Sequence, residues 1–201
     1  MRKIILCLVG IVSFAFGNTK QKIVNNFNME QNNNIQENEF IEIAKNYLNN
    51  LKTLEANFTQ SDGWGISISG RIWIDRKNGK FKLETSQRRT VIKDSYMYDF
   101  NKDLEETTKA SIYSSPLAFL LDKKIDFKGL EILRVECDNR SFSIRFAKKD
   151  KNIEGQVELH FQNKKLSGWT FYNNDNDVIG TTIKLHGLKI NQEIDEEVFE
   201  Q

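Results

Sequence analysis

The chain has 201 residues, with 29 Lys and Arg against 28 Asp and Glu, 14 Phe, 2 Cys and a single Pro. That length is enough for a domain with a real core, and a formal net charge of +1 sets up no general field for nucleic acid. A hydrophobic share of 39% at a mean hydropathy of −0.54 excludes a polytopic membrane protein, and 14 Phe with 3 Trp argue against a wholly disordered chain.

The N-terminus reads as an export signal. Met1-Arg2-Lys3 is a short basic stretch, an apolar run from Ile4 to Phe16 follows, and Ala15-Phe16-Gly17 has the small-x-small form that signal peptidase accepts. The run is well short of the ~20 residues a helix needs to span a bilayer. The expectation is a signal peptide over 1–17, cleaved after Gly17, and a soluble mature protein outside the cytoplasm. Losing Arg2 and Lys3 takes the 29 basic residues to 27 against 28 acidic. Cys7 goes as well, so Cys137 stands alone and no intramolecular disulfide can form.

Residues 18–37 are polar and Asn-rich and read as a flexible mature N-terminus, with a single domain over 38–201. From Glu39 the apolar residues Phe40, Ile43, Ala44, Tyr47, Leu48 and Leu51 recur at helical spacing, which predicts an amphipathic helix over 39–52. After Leu54 the period becomes two. Ile66, Ile68, Gly70, Ile72 and Ile74 share one face, and Ser67, Ser69, Arg71, Trp73 and Asp75 share the other. Asn78-Gly79 is a hairpin signal, and Phe81 and Leu83 mark the return strand. Strand patterns recur at 95–100, 104–108, 141–147, 156–162, 166–173 and 178–190, with connections short enough for antiparallel meanders. Ser115-Pro116 is an N-cap followed by Pro at the first helical position, and Leu117, Phe119, Leu120 and Leu121 make a short helix that is apolar nearly all round.

The polar inventory is poor for catalysis. His160 and His186 are the only near-neutral proton carriers, and both read as solvated strand residues. HExxH, CxxC and glycine-rich phosphate loops are absent, so neither a metal nor a cofactor has support. Glu105-Glu106 and Glu196-Glu197 read as solvated charges rather than a glycosidase pair. The unusual resource is apolar strand surface. Ile72, Ile74, Phe81, Leu83, Tyr96, Tyr98, Phe142, Ile144, Phe146, Val157, Leu159, Phe161, Trp169 and Phe171 are expected to line one face of a large curved sheet. The two helices cover such a face only in part, which leaves an apolar cavity suited to a lipid or acyl chain.

At this point four ordered motifs resemble the LolA family of periplasmic lipoprotein carriers. They are Leu51-Lys52-Thr53-Leu54-Glu55-Ala56-Asn57-Phe58-Thr59-Gln60; Gly70-Arg71-Ile72-Trp73-Ile74-Asp75-Arg76 with Phe81-Lys82-Leu83-Glu84; Asp94-Ser95-Tyr96-Met97-Tyr98-Asp99-Phe100 with Leu104-Glu105-Glu106; and Ser115-Pro116-Leu117-Ala118-Phe119-Leu120-Leu121. They span roughly residues 38–191. Lys77 replaces the family's Pro, Ser95 its usual Gly, and the chain stops at Phe199-Glu200-Gln201 without the expected tail.

The resemblance implies an α+β fold, an unclosed antiparallel β half-barrel with a helical lid. It implies that acyl chains bind between lid and sheet, with Leu117, Leu120 and Leu121 of the lid joining the strand residues above. It implies that Arg76 bonds lid-helix backbone and holds the empty cavity shut. It further implies a monomeric, non-enzymatic periplasmic chaperone without cofactor, metal or nucleic acid. Its partners would be lipoproteins through their acyl chains, an inner-membrane lipoprotein-releasing ABC transporter and an outer-membrane acceptor of open identity. The alternatives are a lipid-sensing domain of an envelope-stress regulator, which shares the half-barrel, and a cell-envelope hydrolase, which would need a Ser/His pair.

Overall fold

The computed structural model describes residues 37–62, 65–112, 120, 121, 125, 127–149, 155–172 and 179–200. The signal segment 1–17, the Asn-rich stretch 18–36 and Ser115-Pro116-Leu117 of the short apolar helix lie outside the described residues.

Residues 37–50 form helix α1, whose apolar stripe buries Ala44 and Leu48, with Leu51 just beyond its end. The strands are β1 (Thr53–Asp62), β2 (Ser67–Asp75), β3 (Lys80–Thr85), β4 (Arg88–Lys93), β5 (Tyr96–Asn101), β6 (Glu106–Ser111), β7 (Leu130–Asp138), β8 (Ser141–Lys148), β9 (Gln156–Gln162), β10 (Lys165–Tyr172) and β11 (Ile179–Ile190). They make one antiparallel sheet in the order β6-β5-β4-β3-β2-β1-β11-β10-β9-β8-β7. A short helix α2 (Glu197–Glu200) follows. The sheet ends at β6 and β7, which do not pair, so it is unclosed. Phe81 of β3 and Phe146 of β8 nevertheless belong to one core. The sheet must therefore curl around that core, as right-handed strand twist favours. This is the expected unclosed antiparallel fold. No helix among the described residues is long and apolar enough to cross a membrane.

Three strands were not foreseen. In β1, Leu54, Ala56 and Phe58 alternate inward with Thr53, Glu55, Asn57 and Thr59 between them, a period-two pattern overlooked beside the helix that precedes it. The strand β4 is short and begins with two Arg. In β7 a bulge between Ile132 and Arg134 breaks the alternation. The strand expected at 104–108 lies at Glu106–Ser111. Asn101 Oδ1 accepts the N–H groups of Asp103 and Leu104 (3.0 and 3.2 Å), and Glu105 has φ 55°, so residues 102–105 turn instead of pairing.

Gly70 stands where neighbouring strands approach closely. It pairs with Phe58 of β1, and a Cβ there would meet Glu84 O at 2.1 Å and the Phe58 ring at 2.8 Å. Gly70→Ala should cost about 2 kcal/mol or more, because neither backbone nor ring can yield cheaply. Gly79 has φ 64° and open space around it, so Gly79→Ala should cost only about 1 kcal/mol. Urea midpoints in the reverse order would refute this account.

Candidate functional site

Most of the apolar residues singled out from the sequence meet on the inner face. Ile72, Ile74, Phe81, Leu120, Phe142, Ile144, Phe146, Val157, Leu159, Phe161 and Trp169 are buried in one cluster, with Leu83, Leu121 and Phe171 partly buried against it. Cross-strand pairs build this face: Ile72 opposes Leu83, Ile74 opposes Phe81, Ile144 opposes Leu159, and Trp169 opposes both Leu159 and Ile183. Helix α1 lies over the β8–β9 part of the face. Phe40 packs on Phe142 with centroids 4.7 Å apart, and Tyr47 meets Phe161 edge-on at 5.8 Å. Leu54, Ala56 and Phe58 complete the face. Their period-two spacing could have identified them from the sequence.

Tyr96 and Tyr98 do not join this face. Asp94 and Ser95 have φ 52° and 65°, a two-residue turn that pairs Lys93 with Tyr96. Leu83 opposes Thr90, and Thr90 opposes Asp99. That register turns Met97 and Asp99 inward and both tyrosines outward. The expectation that they line the apolar face is corrected.

Arg76 is 2% exposed and sits in the turn after β2, where it closes the end of α1. Its Nη1 donates to Leu48 O and to Leu51 O (2.8 Å for the latter). The last carbonyls of a helix have no partner within it, and a cation there also meets the negative end of the helix dipole. Asn191 supports the same junction, donating to Asn50 O at 3.0 Å and accepting from Lys52 N at 2.7 Å. Asn49 Oδ1 accepts the N–H of Ile125 at 3.1 Å, tying α1 to the β6–β7 connection that also buries Leu120. The resemblance pointed Arg76 at the lid helix. The two acceptors described belong to α1 and its end; of the lid helix only Leu120 and Leu121 are among the described residues.

Under α1 the apolar space lined by Ile41, Leu48, Ile144, Phe146 and Leu159 holds only about 10 Å³. That is room for about one water at most, so α1 packs closely on the sheet at this place. Buried in the same core, the Trp169 indole N–H has no acceptor among the described residues.

On the outer face, sequence reasoning missed a buried polar network. Glu158 accepts from Ser143 Oγ (2.5 Å), Tyr172 OH (2.7 Å) and Arg145 Nη2 (3.0 Å). His160, expected to be solvated, is half-buried and bonds Thr170 at 2.8 Å. Ser143 opposes His160 in register, but its hydroxyl donates to the carboxylate, which is no nucleophile–base pair. Burial raises the Glu158 pKa, but hydrogen bonds from Ser143, Tyr172 and Arg145 outweigh it and leave it below 4.5. Burial and the bond to Glu158 push Tyr172 up to about 12, and burial pushes His160 below 6.5.

The family model described as "Outer membrane lipoprotein carrier protein LolA" matches residues 49–201, from the end of α1 onward and including Arg76. The chain belongs to the LolA family. It is 27% identical over 150 residues to protein RP864 of Rickettsia prowazekii (strain Madrid E), covering 71% of this chain. The match spans 61% of that relative's length. Among solved structures, a conserved protein of Thermus thermophilus has a TM-score of 0.49 at 10% identity, over 82% of this chain and 92% of that one. The LolA superfamily protein NE2245 of Nitrosomonas europaea has a TM-score of 0.42 at 10% identity, over 81% and 96%.

Two predictions test the geometry of this LolA-family chain. Arg76→Leu strands buried carbonyls at the end of α1 and should cost about 2–4 kcal/mol, with amide exchange accelerated at residues 48–52. Protection unchanged at those amides would disprove the clamp. Stability should also fall as pH drops through 6.5, because unfolded His160 takes up a proton there and the folded one resists. It should fall further below 4.5, as Glu158 loses its depressed pKa advantage, and again between 10 and about 12, where unfolded Tyr172 ionises first. In Glu158→Gln the loss below 4.5 should flatten; urea midpoints across pH that keep the wild-type acid limb would contradict the assignment.

Proposed function

We propose that this protein is a periplasmic carrier that holds lipoprotein acyl chains against the inner face of its sheet. It would receive lipoproteins from an inner-membrane ABC transporter and pass them to an outer-membrane acceptor, with residues 1–17 directing export. Membership of the LolA family supports the reading. The observation that carries it is the inner apolar face covered by a helix whose end is held by one buried cation, Arg76.

An acyl chain of ~15 methylenes costs ~12 kcal/mol to expose to water, at about 0.8 kcal/mol per methylene. The inner-face residues Ile72, Ile74, Phe81, Phe142, Ile144, Phe146, Val157, Leu159, Phe161 and Trp169 supply apolar walls that offset that cost. Helix α1 packs closely on the sheet, so cargo enters by displacing α1 and the connection tied to it through Asn49. Apolar contacts of the helix are then exchanged for apolar contacts of the cargo. Such an exchange leaves a small net free energy, which permits release as well as capture. The Trp169 N–H, without an acceptor among the described residues, offers a polar contact in this core that an ester carbonyl of the cargo would accept. The chemistry is binding, not catalysis.

Protein purified from the periplasm should carry a lipoprotein that outer-membrane fractions remove. Arg76→Leu weakens closure, so that variant should co-purify with more cargo and release less. If the wild type carries no acylated protein, or Arg76→Leu transfers normally, the reading fails.

A further inference from the structure

The outer face of β3–β6 is not used by the carrier reading. Its side chains are placed by two rows of the register, Lys82–Val91–Tyr98–Lys109 and Glu84–Arg89–Phe100–Thr107, with Lys93 beside Tyr96 at the turn. The charges on these outward positions are nearly all of one sign. Lys80, Lys82, Arg89, Lys93 and Lys109 stand against Glu84 alone.

Part of this charge is already committed. Glu84 is engaged by Lys82 and Lys102 at 3.5 and 2.9 Å, and Lys82 is buried, donating to Val198 O at 2.9 Å. Lys80 faces Glu196 at 3.4 Å. Arg89, Lys93 and Lys109 make no ion pair among the described residues and are interleaved with rings instead. Lys109 Nζ lies 3.9 Å from the Tyr96 centroid and 5.5 Å from that of Tyr98. Arg89 lies 5.4 Å from the Phe100 centroid. Tyr96 is 41% exposed. A groove of about 790 Å³ opens beside Arg89, Lys93, Tyr98 and Phe100, with Asp94 and Glu200 as its acidic lining.

We propose that this face docks the protein on the headgroup layer of an anionic phospholipid bilayer. Phosphates are met by Arg89, Lys93 and Lys109; the Lys109 ammonium and the Arg89 guanidinium rest over ring faces and exchange that contact for phosphate at the bilayer surface. Tyrosine suits that layer, because its ring is apolar and its hydroxyl stays wet. An acidic protein surface would satisfy the cations but offers the exposed Tyr96 ring no comparable apolar layer. The whole chain is close to neutral, so the attraction is local to one face. Attachment is accordingly oriented, salt-sensitive and reversible. This reaches beyond the carrier reading and does not depend on which cargo the inner face holds.

The test is co-sedimentation of the full chain with vesicles of phosphatidylcholine alone or equimolar with phosphatidylglycerol. The quantity read is the increment in binding that phosphatidylglycerol causes, less that of a peptide of residues 1–17, whose Arg2 and Lys3 also favour anionic lipid. Wild type should show an increment that fades between about 0.05 and 0.5 M salt. The double variant Lys93→Glu with Lys109→Glu should lose it by about tenfold or more. The pair Lys164→Glu with Lys165→Glu, exposed in the β9–β10 turn, changes net charge equally and should keep it. Circular dichroism confirms that each variant is folded. The proposal is overturned by no increment in wild type, by an unchanged increment in Lys93→Glu with Lys109→Glu, or by an equal loss in the control pair. Capture of poly-glutamate without any vesicle increment would assign the face to an acidic protein partner instead and overturn it too.

Discussion

A helix that ends inside a core leaves carbonyl groups facing apolar surroundings, and this protein answers that constraint with Arg76. Its guanidinium donates to Leu48 O and Leu51 O from the turn that joins β2 to β3. One side chain thus connects the helix covering the inner face to the strands that build it. A buried guanidinium without partners would be costly, so cation and helix end depend on each other. Asn191 at the end of β11 closes the same junction from the other side.

That arrangement explains how a face rich in Phe, Leu and Ile stays out of water without a thick second layer. Helix α1 packs on the ground beneath it, and the apolar space among Ile41, Leu48, Ile144 and Leu159 is about 10 Å³. The junction is polar and discrete, whereas the helix–sheet contact is apolar and non-directional. Polar bonds of that kind can be broken at one place while apolar contacts are exchanged elsewhere. In the proposed carrier, a cover fastened at its end suits a site that opens and closes.

Much of the fold was legible because strand and helix periods are local properties. Ile72 and Ile74, Phe142 to Phe146 and Val157 to Phe161 all alternate cleanly, and all lie inward. Arg76 was singled out by the motif around it, but the acceptors described for it lie on α1 and its end. What misled was parity across turns. Tyr96 and Tyr98 look like core aromatics, yet the two-residue turn at Asp94-Ser95 sets them outward, and no local pattern reveals that. The Glu158 network was equally hidden, since Ser143, Arg145 and Tyr172 reach one carboxylate only after three strands pair.

The sequence alone therefore determined the antiparallel strands, the amphipathic helix and the apolar character of one sheet face, because backbone period and side-chain polarity are read residue by residue. Tertiary structure decided the rest. It set which aromatics share a face, which carbonyls Arg76 meets, and that the cations among Tyr96, Tyr98 and Phe100 gather on the outside. Those outcomes depend on register and on chain-distant partners, and a one-residue change in either moves every side chain to the opposite face.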